Sequence, residues 1–400
     1  MRHQVKLSEI CIVIFLTFIT MAGIYYSVNT IARNELILKT YPLQVNLETT
    51  ALSCSNQSPE WLKDTLKSVS LSHRAPNNQV AYISPQGQLF HCESGYLGFP
   101  LFSKKVNKDT RFRFASVSKL WTSDAILDLI KKNKISLAEQ ALSVLPEISA
   151  PDDLRIKQIT VGDLLLHRAG FNRTGLMGDE MFRNREKPFC PNNLDQLSQV
   201  QLSFDPNTTF SYSNLGYCLL GEIIAKQKNM SYQEIIEKEY ALVNENIRFL
   251  ENKRLEDEAK YRYIEIGLTG YSDIYTAFDY PALASSAGLS GSAIALAKQV
   301  RQMINKPQPN ILSQPEITCD VHKLRDCYGY AMFPYQKTDQ NLKVYFRDGV
   351  LPGASSLVVV DEYGGVLSLL SSGQAKLGQG EYDQTKMKIY EALAQWYKST

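Results

Sequence analysis

Histidine is scarce in this chain of 400 residues: there are five, at positions 3, 73, 91, 167 and 322, too scattered to supply the clustered ligands of a zinc site. His322, between Cys319 and Cys327, lacks the further neighbours that would complete such a set. The expectation is therefore no metal and no other cofactor. An excess of either charge is also missing. Lys and Arg total 43 against 41 Asp and Glu, a net charge of +2, which removes the electrostatic footprint of a nucleic-acid binder. Internal repeats and low-complexity tracts are absent. What remains, 44% hydrophobic and 21% charged residues, is the composition of a globular protein, neither disordered nor fibrous.

One run departs from that composition. Arg2, His3 and Lys6 precede Ile10 to Val28, a stretch without charge that at ~1.5 Å per helical residue just spans a bilayer core of ~30 Å. The basic flank orients such an anchor with its N-terminus in the cytoplasm. A secretory signal with a shorter apolar run, Ile10 to Thr20, is the competing reading, and both export the chain. Export bears on the seven cysteines. Cys11 lies in the apolar run, and the other six meet an oxidising compartment in which disulfides persist. Cys319 and Cys327 are close enough to staple one loop; Cys54 with Cys92 and Cys190 with Cys218 are further pairings, although sequence leaves connectivity open.

Segment types change twice along the exported part. Ser58-Pro59-Glu60 starts a helix continued by Leu62, Leu66 and Val69. Gln79 to Ser84 and Leu89 to Glu93 flank a polar turn and read as a hairpin. From about Ser116 to Met303 helical periodicity dominates. Strands return at Tyr328 to Tyr335, Lys343 to Phe346, Ser356 to Asp361 and Val366 to Ser371, and a helix striped by Met387, Tyr390, Leu393 and Tyr397 closes the chain. The expected class is α+β: an antiparallel sheet built from both chain ends with flanking helices, plus a helical subdomain. The corresponding division is a membrane anchor or signal segment (1–33), a linker (34–57), an α/β subdomain (58–115 with 304–400) and a mainly helical subdomain (116–303). A groove between the last two is where a site is expected.

Three stretches carry chemistry. In Phe114-Ala115-Ser116-Val117-Ser118-Lys119, Ser116 and Lys119 are three apart and share a helix face. A serine at a helix start has unpaired N–H groups beside it to hold an oxyanion, and a lysine in a partly apolar pocket can take its proton. A helix cap followed by a solvated lysine would look the same, and S-x-x-K alone is a common match. Tyr212-Ser213-Asn214 sits where a polar loop meets an apolar helical run; the tyrosine can relay a proton and the amide can bind a substrate carbonyl, whereas the plainer reading is a helix cap. Arg347-Asp348-Gly349-Val350 interrupts a strand pair with glycine and proline, so that the Val350 N–H can donate to an oxyanion and Arg347 can face a substrate carboxylate, or else it is a surface loop with a solvated arginine.

Ser-x-x-Lys, then Tyr-Ser-Asn, then a basic residue two before glycine on a late strand resembles the penicillin-recognising serine hydrolases, the family of class C β-lactamases, D,D-peptidases, D-aminopeptidases and related esterases. Leu164-Leu165-Leu166-His167-Arg168-Ala169-Gly170 and Ala287-Gly288-Leu289-Ser290 are similar to further family stretches in the same order, and the likeness runs from about Val80 to Ser372. The resemblance implies a β-lactamase-like fold and an acyl-enzyme mechanism, with Ser116, Lys119 and Tyr212 catalytic and Asn214, Arg347, Gly349 and Val350 around the substrate. His167 is read as structural. Two departures stand out. Arg347 replaces the lysine or histidine usual before x-Gly and cannot give up a proton, and Ala241-Leu242-Val243-Asn244 stands where proline-leucine-glycine-methionine is usual. The expected activity is an exported peptidase or esterase acting on a small-molecule or peptide substrate, peptidoglycan-derived material being the one that a membrane tether favours. The alternative is a catalytically silent protein of the same fold that binds an envelope ligand.

Overall fold

β-branched and aliphatic residues alternate between two cores in the central strands, and that alternation gives the architecture of the computed structural model, which describes residues 6–98, 100–148, 150–172, 188–261, 266–267, 270–271, 274–375 and 380–399. Its strands are β1 (Ser53–Cys54), β2 (Asn78–Ile83), β3 (Leu89–Ser94), β4 (Phe112–Arg113), β5 (Arg248–Phe249), β6 (Ile266–Gly267), β7 (Gly270–Tyr271), β8 (Leu289–Gly291), β9 (Phe333–Gln336), β10 (Lys343–Leu351), β11 (Ala354–Asp361) and β12 (Val366–Ser371). Seven form one antiparallel sheet in the order β1-β3-β2-β12-β11-β10-β9, joining the two ends of the chain by pairing β2 with β12. Val80, Tyr82, Val359 and Leu367 face one core, shared with Leu62, Leu66, Ile389, Tyr390 and Leu393 of two helices, Glu60–Ser72 and Glu381–Ser399. Their neighbours Ala81, Ile83, Val358, Val360 and Val366 face the other, larger core, built with the helices Lys119–Lys131, Asn214–Lys228 and Ala293–Ile304. The period of two is what a sheet covered on both faces requires.

The larger core also holds a three-stranded sheet, β4-β8-β5. β4 leads into the Ser116 segment, so its pairing with β8 (Phe112 with Gly291, Arg113 with Ser290) fixes where that segment begins. Residues Val45–Thr400 form a single compact unit. The first 44 residues are a separate unit. Its helix Leu7–Val28, 22 residues, is long and apolar enough to cross a bilayer, and its apolar side chains, Phe15 and Phe18 among them, are exposed.

Three details differ from the expectations. The stretch 34–57, expected as a linker, lies largely in a helix, Thr30–Glu48, that carries Pro42 inside it and has no apolar stripe to announce it. Tyr328–Met332 is not strand: Gly329 N–H closes a turn on the Met332 carbonyl and Tyr330 N–H turns to Ser313, so pairing starts only at Phe333. Arg347–Ser356 does not interrupt a strand pair. It forms the end of β10, a two-residue turn at Pro352-Gly353 and the start of β11, with Leu351 opposite Ala354 and Gly353 at φ +75°. Each of the three cysteine pairs considered above is a disulfide: Cys54–Cys92 across β1 and β3, Cys190–Cys218, and Cys319–Cys327.

Candidate active site

Phe114 N–H donates to the Leu289 carbonyl (2.9 Å), Leu289 N–H donates to Ser118 Oγ (3.1 Å), and Ser356 Oγ donates to the Phe114 carbonyl (2.6 Å), so β8 and β11 grip the turn before Ser116 from two sides. That grip holds Ala115 at φ +47°, a left-handed conformation that costs a non-glycine residue about 1–2 kcal/mol. Ser116 follows on a 3-10 turn, Ala115–Ser118, that runs directly into the helix Lys119–Lys131. It is part-exposed, whereas its neighbours Ala115, Val117 and Ser118 are buried.

Lys119 is fully buried. Its Nζ donates to Asn214 Oδ1 (2.6 Å) and to the Ser286 carbonyl (2.8 Å), and lies 5.0 Å from the centre of the Tyr212 ring and 5.3 Å from that of Tyr217. The Lys119 nitrogen thus donates to one side-chain amide and one main-chain carbonyl, with two phenol rings close to it. Ser213 caps the helix Asn214–Lys228 by accepting from Gly216 N–H (3.1 Å), which puts Asn214 at the first helical position with its amide oxygen toward Lys119.

Tyr212 is aimed by its flanks. Ser211 N–H donates to the His167 carbonyl (2.8 Å) and Ser213 N–H to His167 Nδ1 (3.2 Å), so one histidine brackets the tyrosine on both sides, its ring centre 4.4 Å from the Tyr212 ring. Burial holds the His167 pKa well below its ordinary value, and the nearby charges of Arg347 and Lys119 lower it further. It is therefore neutral, accepts at Nδ1 and carries its proton on Nε2. His167 itself sits at φ +56°.

Arg347 is buried, with no outward-facing cation to meet a substrate carboxylate. Its Nε and Nη2 donate to the Ser116 carbonyl (3.1 and 3.0 Å) and its Nη1 to Tyr328 Oη (2.8 Å), while Cζ lies 5.9 Å from the centre of the Tyr212 ring. Burial works to lower its pKa, and Tyr328, Tyr212, Tyr217 and the Asp348 carboxylate outweigh it, so the guanidinium stays charged. Two positions on, a Cβ at Gly349 would lie 2.7 Å from Ser116 N and 2.7 Å from the Phe114 carbonyl; only glycine lets β10 press against the serine backbone. β9 pairs with β10 only from Lys343 to Phe346, so among the described residues the outer edge of β10 from Arg347 to Val350 has no strand neighbour.

The structure thus gathers Lys119, Tyr212, Asn214, Arg347 and Gly349 around the main chain of Ser116. The protein family described as Beta-lactamase matches residues 95–391, three quarters of the chain and all of this cluster. The chain belongs to the beta-lactamase family. Its fold is the beta-lactamase-like α+β fold, and the family's members include serine hydrolases that act as amidases and esterases. A Dichelobacter nodosus protein named for fimbrial assembly, FimD of serogroup D, is 37% identical over 338 residues, 84% of each chain. Esterase EstB of Burkholderia gladioli is 25% identical over 194 residues, 45% of this chain and 48% of the esterase. Among solved structures, a D-amino acid amidase from Ochrobactrum anthropi SV3 complexed with L-phenylalanine amide superposes with a TM-score of 0.67 over 85% of this chain and 98% of the amidase, at 18% identity, a likeness of fold.

Sequence reasoning missed two groups. The Ser286 carbonyl is main chain, to which any residue at that position would contribute, so no sequence signal marks it. Tyr328 does have a signal, its position next to Cys327 at the foot of a stapled loop.

Proposed function

We propose that this chain is an exported serine hydrolase that works through an acyl-enzyme. Ser116 Oγ attacks the carbonyl carbon of an ester or amide as its proton passes into the Lys119–Tyr212 pair. The C–O bond to serine forms, the bond to the alcohol or amine breaks, and the leaving group takes the proton. Water then attacks the acyl-enzyme, releases the acid and returns the proton to Ser116. Asn214, whose amide already holds Lys119, positions the acyl chain. The oxyanion sits between the N–H groups of Ser116 and Val350. Along β10, N–H groups alternate between bonding β11 and pointing away; Val350 is one step from the Leu351–Ala354 pair that closes the hairpin, which directs its N–H to the open edge. Such a donor is worth about 3–4 kcal/mol of transition-state stabilisation. Arg347 supports the oxyanion by its charge rather than by contact with a substrate carboxylate.

The observation that carries this reading is the buried Lys119 side-chain amine, held by Asn214 and Ser286 against the Tyr212 ring one helical turn from a part-exposed serine. A fluorophosphonate or penicillin probe tests it. The expected adduct maps to Ser116 and disappears in Ser116→Ala; an intact protein that stays unlabelled yet binds muropeptides makes the chain a silent binder. Esters, D-amino acid amides and β-lactams, screened beside that control, identify the substrate class. The apolar helix Leu7–Val28 and the three disulfides support a position outside the cytoplasm, with an envelope substrate. Alkylation of intact and permeabilised cells tests it: the six paired cysteines should resist a thiol reagent until reduced.

A further inference from the structure

Arg347 touches the nucleophile segment with one side of its fork and a tyrosine with the other. We propose that Tyr328 is a positioning residue that sets the Ser116 main chain through Arg347; this rests on the reading of Ser116 as the nucleophile. A guanidinium is a rigid plane. Nε and Nη2 both donate to the Ser116 carbonyl, a forked contact about which the plane can still pivot. Tyr328 Oη, at 2.8 Å from Nη1, is the third point that stops the pivot; the other acceptor of that nitrogen, the Ala331 carbonyl, is further away at 3.4 Å.

Tyr328 is itself anchored in depth. Its hydroxyl lies 3.2 Å from Tyr217 Oη, which donates to the Leu165 carbonyl (3.2 Å) and lies 2.9 Å from Ser123 Oγ. The protons can be assigned without conflict: Arg347 donates to Tyr328, Tyr328 and Ser123 donate to Tyr217, and Tyr217 donates to Leu165. The Tyr328 ring packs against Phe333, His167 and Phe210, with centres 4.7, 5.1 and 5.4 Å apart, and its main chain adjoins Cys327, which is bonded to Cys319. A line of contacts therefore runs from the Cys319–Cys327 loop through one phenol and one guanidinium to the carbonyl of Ser116. That carbonyl fixes the peptide plane between Ser116 and Val117 and so limits rotation about the Ser116 Cα, from which both Oγ and the N–H that would face the oxyanion project. Two of the rings around Tyr328 also belong to the surroundings of Tyr212: His167 packs against it and Phe210 lies in its loop, so the same residue touches both sides of the site.

The test uses the full chain in detergent with Tyr328→Phe, Arg347→Met and the double variant. Tyr328→Phe keeps the ring and removes only the hydroxyl. Its rate constant for fluorophosphonate labelling of Ser116 should fall about tenfold, the size expected for one lost hydrogen bond to a charged group. The double variant should label no more slowly than Arg347→Met alone, because the hydroxyl acts only through the arginine. Amide hydrogen exchange over residues 114–120 should quicken in Tyr328→Phe without loss of near-ultraviolet circular dichroism. Labelling and exchange at wild-type rates, losses that multiply in the double variant, or a Tyr328→Phe chain that no longer folds would each overturn the proposal. If wild type takes up no probe at Ser116, the nucleophile reading fails by itself. The exchange measurement, which needs no activity, then still decides whether Tyr328 holds the segment.

Discussion

Ser116 is flanked by buried arginines on two margins that handle their charge in opposite ways. On the upstream margin, β4 carries Arg113, whose Nε donates to Glu258 Oε1 at 2.5 Å with both side chains fully buried, and whose guanidinium lies 4.4 Å from the Tyr280 ring centre and 4.9 Å from that of Tyr275. Arg111 beside it is paired with Asp257 at 2.9 Å. On the downstream margin, Arg347 donates to a main-chain carbonyl and a phenol, and among the described residues no carboxylate oxygen lies within ion-pair distance of it. Equal burial thus gives one arginine clamped directly by a carboxylate and one whose fork is spent on neutral acceptors, with the Asp348 carboxylate acting on it only at longer range. A clamp with its charge cancelled by direct contact builds structure, whereas a buried cation with no carboxylate in contact favours an anion forming nearby.

The largest effect should come from breaking the neutralised clamp. Glu258→Gln leaves Arg113 charged in a dry site and should lower the unfolding free energy by about 3–5 kcal/mol in urea denaturation. Probe labelling of whatever chain remains folded should stay near the wild-type rate. Arg347→Met should reverse that pattern, slowing labelling of Ser116 by about 10²–10³-fold with a smaller loss of stability, since the methionine fills apolar volume without stranding a carboxylate. If its stability loss exceeds that of Glu258→Gln, the contrast between the margins is wrong.

pH sharpens the comparison next. Behind the downstream margin, His73 lies 3.1 Å from both Ser355 Oγ of β11 and Thr385 Oγ1 of the last helix, and burial lowers its pKa from 6.5 to about 4. The unfolded chain therefore binds a proton that the folded chain refuses between those values. The contribution is complete above about pH 6.5 and is lost as pH falls towards 4, on the order of 3 kcal/mol in all. Urea titrations at pH 7 and 4.5 should show that slope, and His73→Gln should flatten it. The smallest effect should be Asp257→Asn, about 1 kcal/mol, because that carboxylate is 40% exposed and water can take its place beside Arg111.

The two margins were not equally legible in the sequence. Strand alternation announced the hairpin of β2 and β3, the pairing runs of β11 and β12 and the stripe of the last helix, because burial on a face leaves a period in the residue types. The site motifs marked where Ser116, Lys119 and Tyr212 lie, since each needs a particular side chain. What the side chains turn towards left no such mark. Arg347 reads as a solvated or substrate-facing cation until the partners of its guanidinium are known, and those are a main-chain carbonyl and a tyrosine from a distant loop. Glu258 and Arg113, separated by 145 residues, have no local pattern that pairs them. The helix Thr30–Glu48 was hidden by its own polarity and by Pro42.

The Cys54–Cys92 bond has a mechanical consequence. β1 contributes only the two rungs Ser53–Glu93 and Cys54–Cys92, too few to resist peeling when the preceding segment is pulled. With the sulfurs joined, tension arriving from the N-terminal side passes at Cys54 into the middle of β3 and is borne by covalent bonds. A protease cut anywhere between those two cysteines would leave residues 93–400 covalently joined to the chain before residue 54, so parting them requires either reduction or a cut before residue 54.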